Sequence, residues 1–246
     1  MTEALKIIST NKINFSQDNY WLNIDKPKGY SSAKVVAIVK RLTKAKKVGH
    51  GGTLDPFATG VLTIAVNRAT KQSMAMMNCR KKYLATIKFG EFTDSDDETG
   101  NVIESSSNRV SVNIFIKNLA KFIGDISQQP SKFSAIKING ERAYNLARQG
   151  LDIDMPLRQV NISSIKLLTY NLEECEIEIE CSKGTYIRTL AKDICLANKI
   201  CGHLKDLKRL KVGKFCEKKS ISLDQLKNII NINQSIKDES IFSSVG

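Results

Sequence analysis

Apolar and polar residues alternate along several parts of the chain, most regularly at residues 174–181. Four glutamates occupy one set of positions there, and the other set is Cys175, Ile177, Ile179 and Cys181. A period of two is typical of a strand with one buried face. The segment therefore predicts a half-buried strand with an acidic outer face.

A helical period begins after Ser31 and Ser32, which are the N-cap candidates of a predicted amphipathic helix. Its apolar positions are Val35, Val36, Ile38, Val39 and Leu42. Further helices are predicted at 70–80, at 112–124, after 185–189 as far as about Asn198, and at about 222–231.

Other segments predict strands, namely 21–25, 60–66, 83–92 and a basic stretch at 203–216. The stretch 131–150 predicts a short strand, a turn at Asn139-Gly140 and a short basic helix. The polar residues 1–20 predict a loose arm. The mixed order of strands and helices predicts an α+β fold around a mixed or antiparallel sheet.

The composition fits a globular protein of 246 residues and 27.4 kDa, with 41% hydrophobic and 26% charged residues. Lys and Arg number 38 against 25 Asp and Glu, so the net charge is +13. A surplus of this size favours a polyanionic partner, nucleic acid before an anionic membrane. A bias of the source toward Lys, Asn and Ile would give the same surplus, so the charge alone leaves both interpretations open.

Targeting and metal signals are both lacking in the sequence. No segment reaches the roughly 18 apolar residues of a membrane span, and the N-terminus has no signal-peptide pattern. The six cysteines form no CxxC pair, and the only histidines are His50 and His203. We therefore expect a cytoplasmic protein without a zinc site.

A glycine-rich loop follows the first predicted helix and concentrates the candidate chemistry. Gly49, Gly51 and Gly52 allow the backbone to approach a ligand closely or to adopt positive φ. Asp55 precedes a proline, which holds it extended, and His50 lies in the same loop. A carboxylate fixed in this way can act as a nucleophile or a base. The alternative is a structural Asp-Pro turn with a capping carboxylate.

The loop sequence GHGGTLDPFATG at 49–60 resembles the catalytic motif of the TruB family of tRNA pseudouridine synthases. Further stretches resemble the same family in the expected order, namely DKPKG at 25–29 with Ser31-Ser32, KYLA at 82–85 and CSKGTYIRT at 181–189. The stretch HLKDLKRL at 203–210 looks like the family's late strand. The resemblance covers about residues 21–216, and ordered motifs of this length are far more specific than a glycine-rich loop alone.

The resemblance implies a pseudouridine synthase fold, which is α+β with a central mixed, largely antiparallel sheet, flanking helices and a thumb insertion. It assigns a catalytic domain to 21–246, with a basic thumb-like insertion at about 129–158 that carries Arg142, Arg148 and Arg158. It leaves no room for the C-terminal PUA-like domain of many bacterial members. The implied reaction converts uridine-55 to pseudouridine in the TΨC loop of tRNA, by base flipping and with an essential aspartate.

The resemblance also assigns roles to six residues. Asp55 matches the essential aspartate, and whether it attacks the sugar or the base, or removes a ribose proton, stays open. Arg188 matches the arginine that pairs with this carboxylate, and Tyr83 matches the tyrosine that stacks on the target base. A second pocket tyrosine, an apolar pocket contact and the residue that enters the RNA loop are matched by Tyr186, Leu207 and His50.

Each assignment has a structural alternative. The tyrosines lie where predicted strands open and close, Leu207 alternates like a core residue, and Arg188 fits a surface cation at a helix start. The resemblance implies tRNA, through its TΨC arm, as the partner of a monomer that needs no metal, organic cofactor, membrane or protein partner. An RNA-binding or tRNA-folding module without catalysis is the main alternative function, and a DNA-binding protein is a weaker one.

Overall fold

The computed structural model describes residues 13–242 except 133–136, 139, 144–145, 147–150 and 152. The described α-helices are α1 (Ser32–Thr43), α2 (Ser73–Asn78), α3 (Val112–Leu119), α4 (Ile187–Ala197) and α5 (Leu223–Phe242). The described strands are β1 (Tyr20–Lys26), β2 (Val48–His50), β3 (Thr59–Val66), β4 (Lys81–Phe89), β5 (Glu91–Thr93), β6 (Val102–Ser105), β7 (Gly124–Gln128), β8 (Lys137–Ile138), β9 (Glu141–Arg142), β10 (Arg158–Tyr170), β11 (Glu174–Cys181), β12 (Gly202–Val212) and β13 (Phe215–Cys216). None of the described helices is long and apolar enough to cross a membrane.

The chain divides into two compact units. The described part of the first unit is 13–79 together with 208–242, and the second unit is Arg80–Leu207. Strand β12 begins in the second unit and ends in the first. The candidate site residues are therefore distributed over both units.

Strand β3 is the centre of the first unit, because β1, β2 and β12 all pair with it. β1 and β2 run antiparallel to it, with Leu22 of β1 opposite Ile64. β12 runs parallel to it, with Arg209 opposite Gly60. Every residue of β3 except Thr59 is buried, which explains its continuous apolar sequence.

Helix α1 starts where the sequence predicts it. The Ser31 side chain accepts a hydrogen bond from the backbone N–H of Lys34 at 3.1 Å, as an N-cap does. Val35 and Val39 are fully buried, in the same apolar cluster as Leu226 of α5. The predicted amphipathic pattern is thus confirmed, and its apolar side joins the core of the first unit.

The second unit is built on antiparallel strands in the order β4-β11-β10-β7. Its strand β11 alternates between buried and half-buried residues, as predicted, with Ile179 fully buried. On the outer face, Glu178 pairs with Lys82 at 2.8 Å and Glu174 pairs with Lys205 at 2.7 Å. The chain thus has a mixed α/β fold with a mostly antiparallel sheet and flanking helices, in agreement with the predicted fold class.

The prediction of a loose arm at 1–20 is wrong from residue 13 onward. Ile13 and Phe15 are buried in the first unit, and the Tyr20 hydroxyl donates to the Phe15 carbonyl at 2.8 Å. Two apolar side chains within a polar segment are enough to anchor it once a core is available to receive them. Residues 1–12 lie outside the described residues.

Glycines divide two of the predicted elements. The strand predicted at 83–92 is broken at Gly90, whose φ of 107° ends β4 and lets the chain start β5. The helix predicted at 112–124 ends with a 3₁₀ turn at Phe122, because Gly124 has a φ of 109° and opens β7. Local backbone freedom therefore overrides the apolar periodicity at both places.

Other boundaries also differ from those that the sequence predicts. The helix predicted at 70–80 is a 3₁₀ turn, Asn67–Gln72, followed by α2. The last helix, predicted to end near 231, continues to Phe242. The pattern gave no indication of β10, because its register against β11 shifts twice and interrupts the alternation.

The thumb-like stretch is described only in part. β8 and β9 pair antiparallel with Ile138 opposite Glu141, and Gly140 between them has a φ of 90°. Gly140 therefore has the positive φ of a tight turn, as predicted, and Asn139 lies outside the described residues. Most of the predicted basic helix that follows, including Arg148, lies outside the described residues.

Candidate active site

Asp55 lies in the loop between β2 and β3, and the first unit holds this loop through its main chain. The Ser32 hydroxyl, at the start of α1, accepts from the Leu54 N–H at 2.9 Å and donates to the Leu54 carbonyl at 3.0 Å. Ser32 is buried and Asp55 is half-buried. One side chain thus satisfies both main-chain groups of the residue before Asp55, so the carboxylate has a fixed origin.

Arg209 of β12 holds the same loop from another side. Its guanidinium donates to the carbonyls of Val61 at 2.7 Å, Thr53 at 3.1 Å and Gly52 at 3.0 Å. Arg209 is 1% exposed, which is unusual for an arginine and places a full positive charge inside the first unit. The planar fork of a guanidinium can satisfy several acceptors at once, whereas a single ammonium could not replace this geometry.

Lys26 is a second buried cation beside the loop. Its Nζ donates to the carbonyls of Pro27 at 3.0 Å, Tyr30 at 2.7 Å and Pro56 at 3.2 Å. Burial lowers the pKa of Lys26 to about 8, an effect that the charge of Asp55 opposes and that of Arg209 reinforces. Lys26 therefore fixes the carbonyl immediately after Asp55 and adds positive potential near the carboxylate.

Two glycines of the motif are required by space. A Cβ on Gly51 would lie 2.4 Å from the Met76 Cγ and 2.5 Å from the Thr63 Oγ1. A Cβ on Gly60 would lie 2.4 Å from the Arg209 carbonyl oxygen, and Gly60 also has a φ of 93°. The glycine-rich sequence therefore serves the close packing of this loop against its own unit.

His50 is the last residue of β2 and is half-buried. Its Nδ1 accepts a hydrogen bond from the Gly52 N–H at 3.4 Å. Burial lowers the pKa of His50, and the charge of Arg209 lowers it further. The imidazole is therefore neutral at physiological pH, which suits stacking or hydrogen bonding better than phosphate binding.

Arg188 lies in the first turn of α4 in the second unit and is 5% exposed, so the alternative of a surface cation is wrong. Its guanidinium is 3.4 Å from the Asp97 carboxylate and donates to the Ser95 carbonyl at 3.1 Å. Asp97 Oδ1 in turn accepts from the Ser95 hydroxyl at 2.8 Å and the Thr99 N–H at 2.9 Å. The acidic turn at 93–100 thus supports Arg188 with a carboxylate and a carbonyl that are themselves held by hydrogen bonds.

Tyr83, Tyr186 and Leu207 also belong to the second unit. Tyr83 lies on the buried face of β4, opposite Ile179, and is 8% exposed. Tyr186 is the half-buried N-cap residue of α4, and the Gln128 side chain bonds to its main chain. Leu207 is buried in β12. These positions fit core residues and residues of a base-binding pocket equally well.

The six candidates therefore fall into two groups, one in each unit. His50 and Asp55 share the loop of the first unit, and the second unit carries Tyr83, Tyr186, Arg188 and Leu207. Sequence reasoning did not assign the supporting roles of Lys26, Ser32, Asp97, Gln128 and Arg209, although Lys26, Ser32 and Arg209 lie in the stretches that resemble the family. The sequence did contain a signal for Arg209. It lies two residues after Leu207 and therefore on the same face of the strand, and a charged residue on a buried face is exceptional.

Metal-binding potential is low in the part of the chain that the structure describes. There, no group of three or more His, Cys, Asp or Glu side chains could hold a metal ion. All six cysteines are free, and Cys175 and Cys181 are buried core residues, as predicted.

Two protein-family descriptions match this chain, and together they cover residues 40–245. The family description "TruB family pseudouridylate synthase (N terminal domain)" matches residues 40–187, and "tRNA pseudouridylate synthase B C-terminal domain" matches 188–245. The chain belongs to the TruB family. The N-terminal match contains the loop with Asp55, and the C-terminal match begins at Arg188.

Curated TruB-family relatives align with most of this chain. A tRNA pseudouridine synthase B of Rickettsia bellii is 42% identical over 233 residues, which are 93% of this chain and 80% of the relative. One from a Caulobacter species is 40% identical and covers 85% of this chain and 68% of the relative. The family match thus extends well beyond the catalytic loop.

Solved structures agree with the fold of this TruB-family chain. A chain of a Cbf5-Nop10-Gar1 complex is 29% identical with a TM-score of 0.68, and the match covers 85% of this chain. A chain of an H/ACA RNP bound to a substrate RNA is 27% identical with a TM-score of 0.65. The present chain spans about half of each of those longer chains, 53% in both cases.

Proposed function

We propose that this chain converts uridine-55 of the tRNA TΨC loop to pseudouridine. The observation that carries the proposal is the rigid loop of the first unit, in which Ser32, Lys26 and Arg209 fix the main chain around Asp55. Membership of the TruB family and relatives named tRNA pseudouridine synthase B support the same reaction. The substrate is a tRNA, and the nucleotide that is converted within it is uridine-55.

The reaction is an isomerisation and needs no co-reactant. The bond from C1′ of the ribose to N1 of the uracil breaks, the base turns, and C1′ bonds to C5. The hydrogen at C5 leaves to solvent, and N1 takes up a proton. Asp55 acts as the essential carboxylate, either as a nucleophile toward the sugar or base or as a base toward a ribose proton.

The remaining candidates receive supporting roles in this proposal. Arg188 keeps the Asp55 carboxylate ionised and oriented in the RNA-bound enzyme. Tyr83 stacks on the extruded uracil, and stacking of this kind is worth about 1–3 kcal/mol. Tyr186 and Leu207 shape the base pocket, and the neutral His50 enters the RNA loop where the nucleotide leaves the stack.

Extruding a uridine costs a few kcal/mol, and contacts to the phosphates offset that cost. The C-terminal end of α1 offers exposed cations for such contacts, namely Lys40, Arg41, Lys44, Lys46 and Lys47. Cations also suit the helix dipole there, so the salt dependence of tRNA binding decides whether they contact phosphate. We further propose that the enzyme acts as a monomer in the cytoplasm and needs no protein partner.

The test uses an unmodified tRNA transcript that carries tritium at C5 of its uridines. We expect the wild-type chain to release tritium at the TΨC-loop uridine and Asp55→Asn to release none while still binding tRNA. Asp18→Asn is the matched control, because Asp18 lies in the same unit but outside the motif. Release by Asp55→Asn, or product at another uridine, would overturn the assignment. Binding without release by the folded wild-type chain would favour an RNA-binding module.

A further inference from the structure

The Gln128 side chain forms hydrogen bonds with both main-chain groups of Tyr186. Its Oε1 accepts from the Tyr186 N–H at 3.0 Å, and its Nε2 donates to the Tyr186 carbonyl at 3.3 Å. Gln128 is the last residue of β7 and is 1% exposed. A primary amide is well suited to this task, because it presents one acceptor and one donor side by side. The two bonds act together on one residue and therefore restrict the position of the Tyr186 main chain.

Tyr186 stands where α4 begins, and its carbonyl also accepts from the Leu190 N–H at 3.0 Å. It is the N-cap residue of α4, and no side chain of its own caps the helix. Arg188 follows in the first turn of the same helix. The position of the Tyr186 main chain therefore sets the origin of its ring.

The Tyr186 ring has a second anchor on the segment that follows Gln128. It packs against a small buried cluster of Ala143, Ile153 and Met155. The neighbouring Gln129 donates through its Nε2 to the Met155 carbonyl at 3.1 Å. The end of β7 and the stretch behind it thus hold Tyr186 by its main chain and by its ring.

We infer that Gln128 is a positioning residue for pseudouridine formation, which acts by fixing Tyr186 in the orientation that the flipped uracil requires. The inference rests on the proposed function for the role of Tyr186. Gln128 itself touches the Tyr186 main chain and makes its contribution through that residue.

The first experiment compares Gln128→Met with Gln159→Met, the same substitution at an exposed glutamine of β10 in the same unit. Methionine keeps the length of the side chain and removes both hydrogen bonds. We expect Gln128→Met to lower the single-turnover rate of pseudouridine formation by about tenfold or more, with the Kd for tRNA within about twofold of wild type. Gln159→Met should stay within about threefold of the wild-type rate. Equal effects of the two substitutions, or a loss confined to the Kd, would overturn the inference.

A double-mutant cycle with Tyr186→Ala distinguishes positioning from general stability. If Gln128 acts through Tyr186, Gln128→Met should lower the rate of the Tyr186→Ala variant by less than about threefold. Fully additive losses would overturn the inference, because a purely structural role adds to any background.

Hydrogen exchange gives a readout that does not depend on activity. In Gln128→Met the Tyr186 amide should exchange faster, while amides in the middle of α4 keep their wild-type protection. Unchanged exchange at Tyr186 would overturn the inference even in an active enzyme. Failure of the proposed function would show instead as a wild-type chain without product, or as a Tyr186→Ala variant with the full rate.

Discussion

The guanidinium of Arg209 donates to the carbonyl of Gly52 at 3.0 Å and so ties β12 to the loop that carries Asp55. The same side chain also binds the carbonyls of Thr53 and Val61. A loop that supplies a catalytic carboxylate must keep it within a fraction of an ångström of the productive position. In this unit buried cations provide that rigidity by binding main-chain carbonyls of the loop.

Arg209→Met should therefore reduce both stability and activity. The substitution leaves buried carbonyls without donors, each at a cost of about 1–3 kcal/mol, so we expect a loss of about 3 kcal/mol or more in the free energy of unfolding. Urea denaturation measures this loss, and single-turnover assays in the cold measure the rate of the folded variant. Lys211→Met, on the same strand but exposed, is the control. An Arg209→Met variant as stable as this control would contradict the role of the guanidinium.

Gly60→Ala should be far more harmful than Gly29→Ala, although both glycines have positive φ. Their φ values are 93° and 80°, so the backbone cost of alanine is similar, about 1 kcal/mol or more. Only Gly60 also meets an obstacle, since its new Cβ would lie 2.4 Å from the Arg209 carbonyl oxygen, whereas nothing lies within 4 Å at Gly29.

Thermal unfolding of the two glycine variants separates the steric cost from the backbone cost. We expect Gly60→Ala to lose about 2 kcal/mol more than Gly29→Ala, because β3 and β12 must move apart to accept the methyl group. Equal losses would mean that the close approach of the two strands relaxes freely.

Asp97→Asn should weaken the support of Arg188 in the second unit and so lower both stability and activity. The amide keeps an oxygen for the donors of the acidic turn but removes the charge that faces the guanidinium at 3.4 Å. Because removing one charge of a buried pair is costly, we expect a loss of about 3 kcal/mol in stability and a lower rate of pseudouridine formation at unchanged tRNA affinity. Asp94→Asn, in the same turn, should be nearly neutral. A fully active Asp97→Asn enzyme would show that this pair is dispensable for catalysis.

Much of the fold was accessible from the sequence because its patterns reflect local physics. The alternation at 174–181 predicted β11, and Ser31 with its helical spacing predicted α1. The boundaries at Gly90 and Gly124 were missed because a single positive φ ends an element without changing the apolar pattern. The burial of Ile13 was missed because it depends on a core assembled from distant segments.

The residues of the candidate site also differ in how far the sequence could predict them. The residues proposed to meet the substrate, such as Asp55 and Tyr83, were found because they belong to a recognisable motif. Residues that act on main-chain groups, such as Asp97 and Gln128, carry no such mark, since any loop contains main-chain groups and a polar side chain beside them looks like a surface residue. Only the three-dimensional contacts reveal that these side chains are buried and what they hold.

Asp193→Asn should stabilise the protein at neutral pH. Asp193 lies on α4, and burial raises its pKa to about 6, with the nearby charge of Asp96 adding to the effect and that of Lys192 opposing it. Since the folded pKa lies above the unfolded value of 3.8, the favourable contribution of this carboxyl is present below about pH 4 and is lost as the pH rises through 6. Asparagine carries no charge at any pH, so it avoids the cost of a partly buried carboxylate. We expect Asp193→Asn to raise the Tm by a few degrees, roughly 3 °C, at pH 7.5, with the gain disappearing near pH 4.

The control for this titration is Asp154→Asn, because Asp154 is exposed in the same unit and has no burial to relieve. Differential scanning calorimetry of wild type and both variants between pH 4 and 8 gives the difference in Tm directly. A constant difference for Asp193→Asn across this range would contradict the titration of Asp193, and a negative one at pH 7.5 would show that its carboxylate makes a net favourable contact with Lys192. Because Arg188 and Asp193 lie on one helix, a more stable variant with an unchanged rate would also show that α4 can be strengthened at its buried acid without disturbing the residues of its first turn.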